Sequence, residues 1–257
     1  MKKIHVIILL FASALFFATS CFQDLGQDPA FDYPDGYDGL ENLGTRGEIS
    51  YMPFETDAFV ETISEVDATK AGTPTIAAGK VGQAYQGAAD AYLSFKLADF
   101  ATPVSGSKRI SASFWYKRGA AERAGIISCG IATSNQKIGF VLFREGNTNF
   151  QLLAGNGTTG TWGGAVALTE ATTTDWVHLA FSIDETAMKL YCNGVLKKET
   201  PFAGPISWTG CTAISIGSGE PTFGGWNHKG EDGQIDELRF FNKTLSDAEI
   251  NDLYTNP

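Results

Sequence analysis

The sequence predicts an all-β fold, a two-sheet antiparallel jelly-roll sandwich with a short C-terminal helix, and three observations carry that expectation. Short apolar stretches, several alternating with period two, recur from about Ile49 onward between clusters of Gly, Asn, Asp and Thr. Such alternation buries one face of each strand, and regular short strands with turn signals indicate a sandwich or jelly roll. The pair Asn193-Gly194 stands between two of these stretches and marks a tight hairpin. Ser246 and Glu249 form the capping box of one helix near the C-terminus. Charged residues make up only 19% of the chain, a balance that suits sheets joined by turns better than long solvated helices.

In chain order, residues 1–20 read as a secretion leader. Lys2 and Lys3 form a basic start, and Val6 to Ala18 is an apolar run, too short to span a bilayer comfortably but suited to a signal sequence. Ala18-Thr19-Ser20 then leads directly into Cys21. That segment resembles the lipobox of bacterial lipoproteins, with Ala18 where leucine is usual, and the resemblance implies lipid attachment at Cys21. The alternative is an ordinary secretory signal that precedes a cysteine. Residues 21–48 are rich in Asp, Gly and Pro and have no strand or helix period, so they read as an acidic flexible tether. Asp24 and Asp28, close to Cys21, resemble the export signal of Bacteroidetes-type surface lipoproteins; simple solubility is the other reading.

Residues 49–257 read as the sandwich. Strands are expected at Ile110–Tyr116, Gly125–Cys129, Ile138–Phe143, Phe150–Leu153, Trp176–Ile183, Met188–Cys192, Ala213–Gly217 and Ile235–Phe241. Asn193-Gly194 accepts the positive φ angles of a type I′ turn, which makes a two-residue hairpin of Met188–Cys192 and Val195–Lys198. Ser246 caps the helix, Leu245 and Ile250 form its hydrophobic staple, and the helix is expected to close the sandwich edge.

Charge excludes some partners. Of 19 Lys and Arg, Lys2 and Lys3 leave with the leader, so 17 face 29 Asp and Glu, for a net charge of −12. Such a surface repels nucleic acid and anionic lipid, so membrane contact is expected only through the lipid anchor. Three cysteines remain, Cys129, Cys192 and Cys211, without CxxC or metal-ligand spacing. They read as buried free thiols, while an exported location permits one disulfide whose pairing is open.

Four pieces fall in a familiar order. Gly79–Gly87 with Asp90–Phe95, then Ile110–Lys117, then Trp176–Phe181 with Lys189–Gly194, then Gly233–Ile250 together resemble a laminin-G-like, concanavalin A-like lectin/glucanase domain over residues 49–257. The resemblance implies a jelly roll of two antiparallel sheets. It also implies a structural calcium ion held by Asp236 and the carbonyl of Gly87; the alternative is that Asp236 only caps a backbone N–H. The fold alone does not name a function, since it hosts lectins, glycosidases, adhesion modules and spacers.

The residues argue against an enzyme. A retaining glycosidase needs two carboxylates facing one sugar ring, and no Glu-x-Asp-x-Glu run is present. Around Asp236 the alternate positions are Gln234 and Leu238, and strand alternation sends Glu237 to the opposite face. No Gly-x-Ser-x-Gly context accompanies His178, which is expected to pack between the sheets. Carbohydrate binding is favoured instead. Trp226, Asn227 and His228, followed by Lys229, Glu231 and Asp232, form one candidate loop, and Trp162 among glycines forms another. Each tryptophan could also fold back over the core edge. Trp115 and Trp176 read as core. The expectation is a non-catalytic surface module, anchored to the outer membrane, that binds a glycan. A protein-interaction, adhesion or scaffold module is the alternative, and a glycosidase of the same fold a lesser one.

Overall fold

A computed structural model describes residues 46–102, 104, 106–131, 136–221 and 227–257. The leader, Cys21, nearly all of the tether and Trp226 lie outside the described residues. In chain order the strands are β1 (Glu48–Met52), β2 (Val60–Glu61), β3 (Val66–Asp67), β4 (Thr69–Ala71), β5 (Thr75–Ala78) and β6 (Gln83–Gln86). Then come β7 (Tyr92–Lys96), β8 (Ile110–Lys117), β9 (Arg123–Cys129), β10 (Ile138–Glu145), β11 (Asn149–Asn156) and β12 (Gly160–Trp162). The last are β13 (Val166–Ala167), β14 (Val177–Ile183), β15 (Ala187–Cys192), β16 (Val195–Pro201), β17 (Ala213–Ile216) and β18 (Gln234–Phe241), followed by α1 (Asp247–Thr255).

These strands build two antiparallel sheets. The first runs β16-β15-β14-β8-β18-β6-β5, with β1 also paired to β18. The second runs β12-β11-β10-β9-β17-β7-β4, with β13 also paired to β11. Period two places the core between them. Ile110, Ala112, Phe114 and Tyr116 of β8, and Val177, Leu179, Phe181 and Ile183 of β14, face Phe140 and Leu142 of β10 and Ile214 and Ile216 of β17. All eight expected strands are present, within a few residues of their expected ends.

The hairpin and the helix form as their local chemistry dictates. Asn193 and Gly194 take φ of 50° and 75°, the left-handed pair a type I′ turn needs. The Ser246 side chain accepts from the Glu249 N–H, and the Glu249 carboxylate accepts in return from the Ser246 N–H at 2.8 Å. The helix lies elsewhere than expected. Leu245, Ile250 and Leu253 pack with Ala180, Tyr191 and Phe241. Those last three point away from the core, so α1 covers the outer face of the first sheet rather than closing an edge.

His178 moves with it. Its neighbours Val177 and Leu179 point into the core, so its ring lies on the outer face beneath Tyr254, 5.9 Å between centroids, and not between the sheets. Cys211 ends a turn closed by its own N–H on the Trp208 carbonyl and stands just before β17.

Candidate functional site

The outer face of the second sheet is built differently. Val141 and Phe143 of β10 and Leu153 of β11 point outward and form a small apolar cluster of their own. Leu153 pairs with Trp162 across β11 and β12, which sets the indole beside the cluster. Trp162 stands edge-on to Phe143, with centroids 6.0 Å apart and planes at 88°, and remains 41% exposed. The ring is held in place while one side stays open to solvent, the arrangement that suits stacking against an apolar ligand face.

Polar groups line the same face. Directly opposed residues of an antiparallel pair point to the same side. Phe143 opposes Gln151, and Glu145 opposes both Asn149 and Arg123. Arg123 and Asn149 are exposed, and Gln151 and Glu145 are half-buried. An amide pair, a carboxylate and a guanidinium therefore stand on the same face of the sheet as Trp162, with donors and acceptors of both kinds.

Residues 217–221 and 227–231 form a strap that borders this shelf. Its base is closed by the Glu231 N–H on the Gly217 carbonyl at 2.7 Å and the Gly219 N–H on the His228 carbonyl at 2.8 Å. Ser128 of β9 donates to the Glu220 carbonyl at 2.7 Å. The strap lies against the sheet because β9 carries Gly125 there: a Cβ would come within 1.8 Å of the Gly219 nitrogen.

The first expected loop is thus part shelf and part support. Asn227 is exposed, with φ of 67°. His228 is fully buried, which corrects its assignment as a ligand contact. Its ring packs edge-on against Phe143 at 5.0 Å and lies 3.7 Å from Glu145. Burial lowers its pKa first; the Glu145 carboxylate opposes this, and Arg123 and Arg144 add to it. These contacts give it a packing role. Trp226 lies outside the described residues.

Glu231 is also corrected. The sequence placed it in the candidate binding loop, but it is fully buried and anchors the strap. Its oxygens accept from Arg144 Nε and a terminal nitrogen at 3.1 and 3.2 Å, from the Tyr116 hydroxyl at 2.5 Å, and from the Gly119 and Gly233 N–H groups at 3.0 Å. Arg144 comes from the second sheet and Tyr116 from the first, so this ion pair ties strap and sheets together at one end of the sandwich. No local pattern announced it, since a lone Glu and a lone Arg lie 87 residues apart in sequence.

The closing strand carries the other surprise. A bulge between Asp236 and Arg239, with Glu237 at φ of 54°, breaks the alternation. Glu237 therefore does not face the core. It accepts from the Tyr51 hydroxyl at 2.8 Å and from Arg239 at 2.7 Å, and Arg239 stacks over the Tyr51 ring. Asp236 is fully buried and accepts from the N–H groups of Lys80, Val81 and Glu237 at 2.7, 2.9 and 2.8 Å. Burial first, then the Glu237 charge, pushes the Asp236 carboxyl up to about 8 against those amides. Two neighbouring carboxylates thus share one side of the sheet, but both are buried and engaged, so neither faces a substrate.

These contacts bear on calcium. Gly87 donates to the Gly233 carbonyl at 2.9 Å, which sets it three residues, about 10 Å, along the strands from Asp236. The Gly87 carbonyl accepts from the Gln86 side-chain amide at 2.9 Å. The two expected ligands therefore stand apart, each already turned to N–H donors, and as arranged they do not fit one shared cation. Among the described residues, no group of three or more His, Cys, Asp and Glu is gathered as for a metal.

The remaining tryptophans are structural. Trp208 is buried, donates to the Ser107 carbonyl at 2.7 Å and packs edge-on to Phe140. Trp115 is buried under Lys80 and Tyr254. Trp176 is half-buried, with the Lys117 amine 5.0 Å over its ring.

The class is now defined: an antiparallel jelly-roll sandwich with one outer face roofed by a helix and the other presenting a tryptophan. The chain belongs to the concanavalin A-like lectin/glucanase superfamily, whose laminin-G family model matches residues 87–251. No curated protein matches the sequence. Among solved structures it is similar to domain 4 of AbnA, an extracellular arabinanase from Geobacillus stearothermophilus, in complex with arabinotriose. The TM-score is 0.61 and the identity 22%, over 80% of this chain and 98% of that one. It is also similar to the binding domain of botulinum neurotoxin DC in complex with SialylT, at TM-score 0.60 and 13% identity, over 80% of this chain and 50% of that one. The same toxin domain in complex with rat synaptotagmin II gives TM-score 0.59 and 13% identity, over 81% and 51%. The chain thus spans about half of the toxin domains. At these identities the likeness concerns the fold.

Proposed function

We propose that this protein is a non-catalytic binding module whose ligand is a glycan, seated on the outer face of the second sheet. One observation carries the reading: Trp162 is fixed edge-on by Phe143 yet 41% exposed, on the face that also carries Gln151, Asn149, Glu145 and Arg123. A sugar offers an apolar C–H face to the indole and hydroxyls to the amides and charges. The solved relatives add support, since two of them are held in complex with glycans. The buried state of Asp236 and Glu237 supports the absence of catalysis. Attachment through a lipid on Cys21 and display on the outer membrane rest on the leader alone.

The test is a glycan screen of the full-length chain, with and without calcium, beside Trp162→Ala. Binding that disappears in the variant at unchanged melting temperature supports the shelf. Calcium-dependent binding that survives keeps the glycan and moves its site. A chain that binds no glycan overturns the reading in favour of a protein partner, for which exposed Val195 and Leu196 on edge strand β16 are the second candidate surface. Metabolic labelling with a palmitate analogue, lost in Cys21→Ser, tests the anchor.

A further inference from the structure

Cys129 and Cys211 are separated by 82 positions in sequence, yet they meet. Cys129 ends β9 and pairs with Ile214 of β17. Cys211 stands three residues before Ile214, in the turn that delivers the chain to β17. The neighbouring residues confirm the approach: a Cβ on Gly210 would lie 3.6 Å from the Ile131 side chain. Cys129 is a buried member of the main core, and Cys211 is partly buried against the same core. Each thiol is the largest influence on the other's titration, in keeping with neighbouring sulfurs. Cys192 lies apart on β15 of the other sheet.

We infer that Cys129 and Cys211 form a reversible intramolecular disulfide, closed by exchange with an oxidised dithiol protein or a small-molecule disulfide. Two thiols on adjacent backbone segments, packed against one core, can reach bonding distance by side-chain rotation. The two are unequal, which sets the order of events. The neighbouring Cys129 thiol lowers the Cys211 thiol below its ordinary value, while Cys211 and burial raise Cys129. Cys211 is also the more accessible of the pair. Its thiolate attacks the oxidant's S–S bond, forming a mixed disulfide and releasing one oxidant thiolate. The Cys129 sulfur then attacks the Cys211 sulfur, forms the internal bond and expels the second oxidant thiolate. Two electrons pass from the protein to the oxidant, and the two thiol protons go to the released thiolates. The bridge ties the end of β9 to the turn before β17 and closes a loop that contains strands β10 to β16. Its largest effect falls on the unfolded chain, which loses the freedom of that loop.

The experiment treats the full-length chain with oxidised glutathione, alkylates free thiols, digests without reduction and identifies linked peptides by mass spectrometry. The expected result is a Cys129–Cys211 linked peptide, with Cys192 alkylated only after denaturation. The melting temperature should rise by about 5–10 °C on oxidation, return on reduction, and fail to rise in Cys211→Ser and in Cys129→Ala. In Cys129→Ala, Cys211 should retain glutathione as a stable mixed disulfide, a readout that does not depend on the melting change. The inference is overturned if both cysteines remain alkylatable in the wild type after oxidation. It is equally overturned if either is linked to Cys192, or if Cys211 of the wild type stops at the glutathione adduct.

Discussion

The two outer faces of this sandwich start from the same alternation and end differently. On the first sheet, Ala180, Tyr191 and Phe241 point outward and are covered by Leu245, Ile250 and Leu253 of the chain's own helix. On the second, Val141, Phe143 and Leu153 point outward and are also buried, without a helix over them, and Trp162 beside them remains 41% exposed. A face roofed by its own chain contributes stability. On the second face the apolar area still to bury is the exposed indole, which the proposed glycan would cover.

The largest expected effect concerns the strap beside the open face. Glu231→Ala leaves Arg144 buried without its carboxylate, at a cost of about 3–5 kcal/mol. Chemical denaturation reads it, and a loss below about 1 kcal/mol would show that the ion pair does not hold strap and sheets together. Trp162→Ala divides the faces by function. Glycan affinity should fall about tenfold or more, while stability changes little for so exposed a ring. A variant that unfolds instead places Trp162 with the core.

The covered face should show itself through pH. His178 is lowered from 6.5 to about 3, by burial first and then by Arg239, so its unfolded form takes up a proton that the folded form refuses. Its stabilising effect is complete above pH 6.5 and is lost as pH falls towards 3. Asp236 is raised from 3.8 to about 8, so the folded form keeps a proton that the unfolded form has released. Its effect is complete below about 3.8 and is lost as pH rises through 8. Each slope is up to about 1.4 kcal/mol per pH unit. Between about 4 and 6.5 they oppose one another, so stability should be nearly flat there and decline from 6.5 to 8. In Asp236→Asn the decline should vanish and a rise towards pH 6.5 should emerge. Urea titrations at pH 4.5, 6 and 7.5 test it, and an unchanged profile in Asp236→Asn would remove that residue from the account.

The smallest effect belongs to the roof. Ser246→Ala removes the helix cap and should cost about 1 kcal/mol, read as a melting shift of a few degrees. Glycan affinity should be unchanged, because α1 covers the other sheet. A parallel loss of binding would mean the two faces are coupled.

What was legible in advance depended on how far each cause reaches along the chain. Asn193-Gly194 and Ser246–Glu249 act within four residues, and both formed as read. The alternation of β8 and β14 is equally local, so strand positions and core residues could be read directly. His228 and Glu231 could not, since a polar residue in a glycine-rich loop looks exposed until the partners that bury it are known. Phe143 and Arg144 on β10 are those partners, more than 80 positions away in sequence. Glu237 was misplaced for another reason: strict alternation was assumed where a bulge adds one residue.

The sequence by itself determined the fold class, the strands, the one hairpin turn and the capped helix, because periodicity, turn chemistry and capping are short-range physics. Only the tertiary structure decided which outer face carries the helix, which of the loop's polar groups are buried, and that Cys211 is delivered to a segment adjacent to Cys129. Those outcomes depend on how two sheets and a helix stack, and stacking brings together residues whose separation along the chain leaves no local trace.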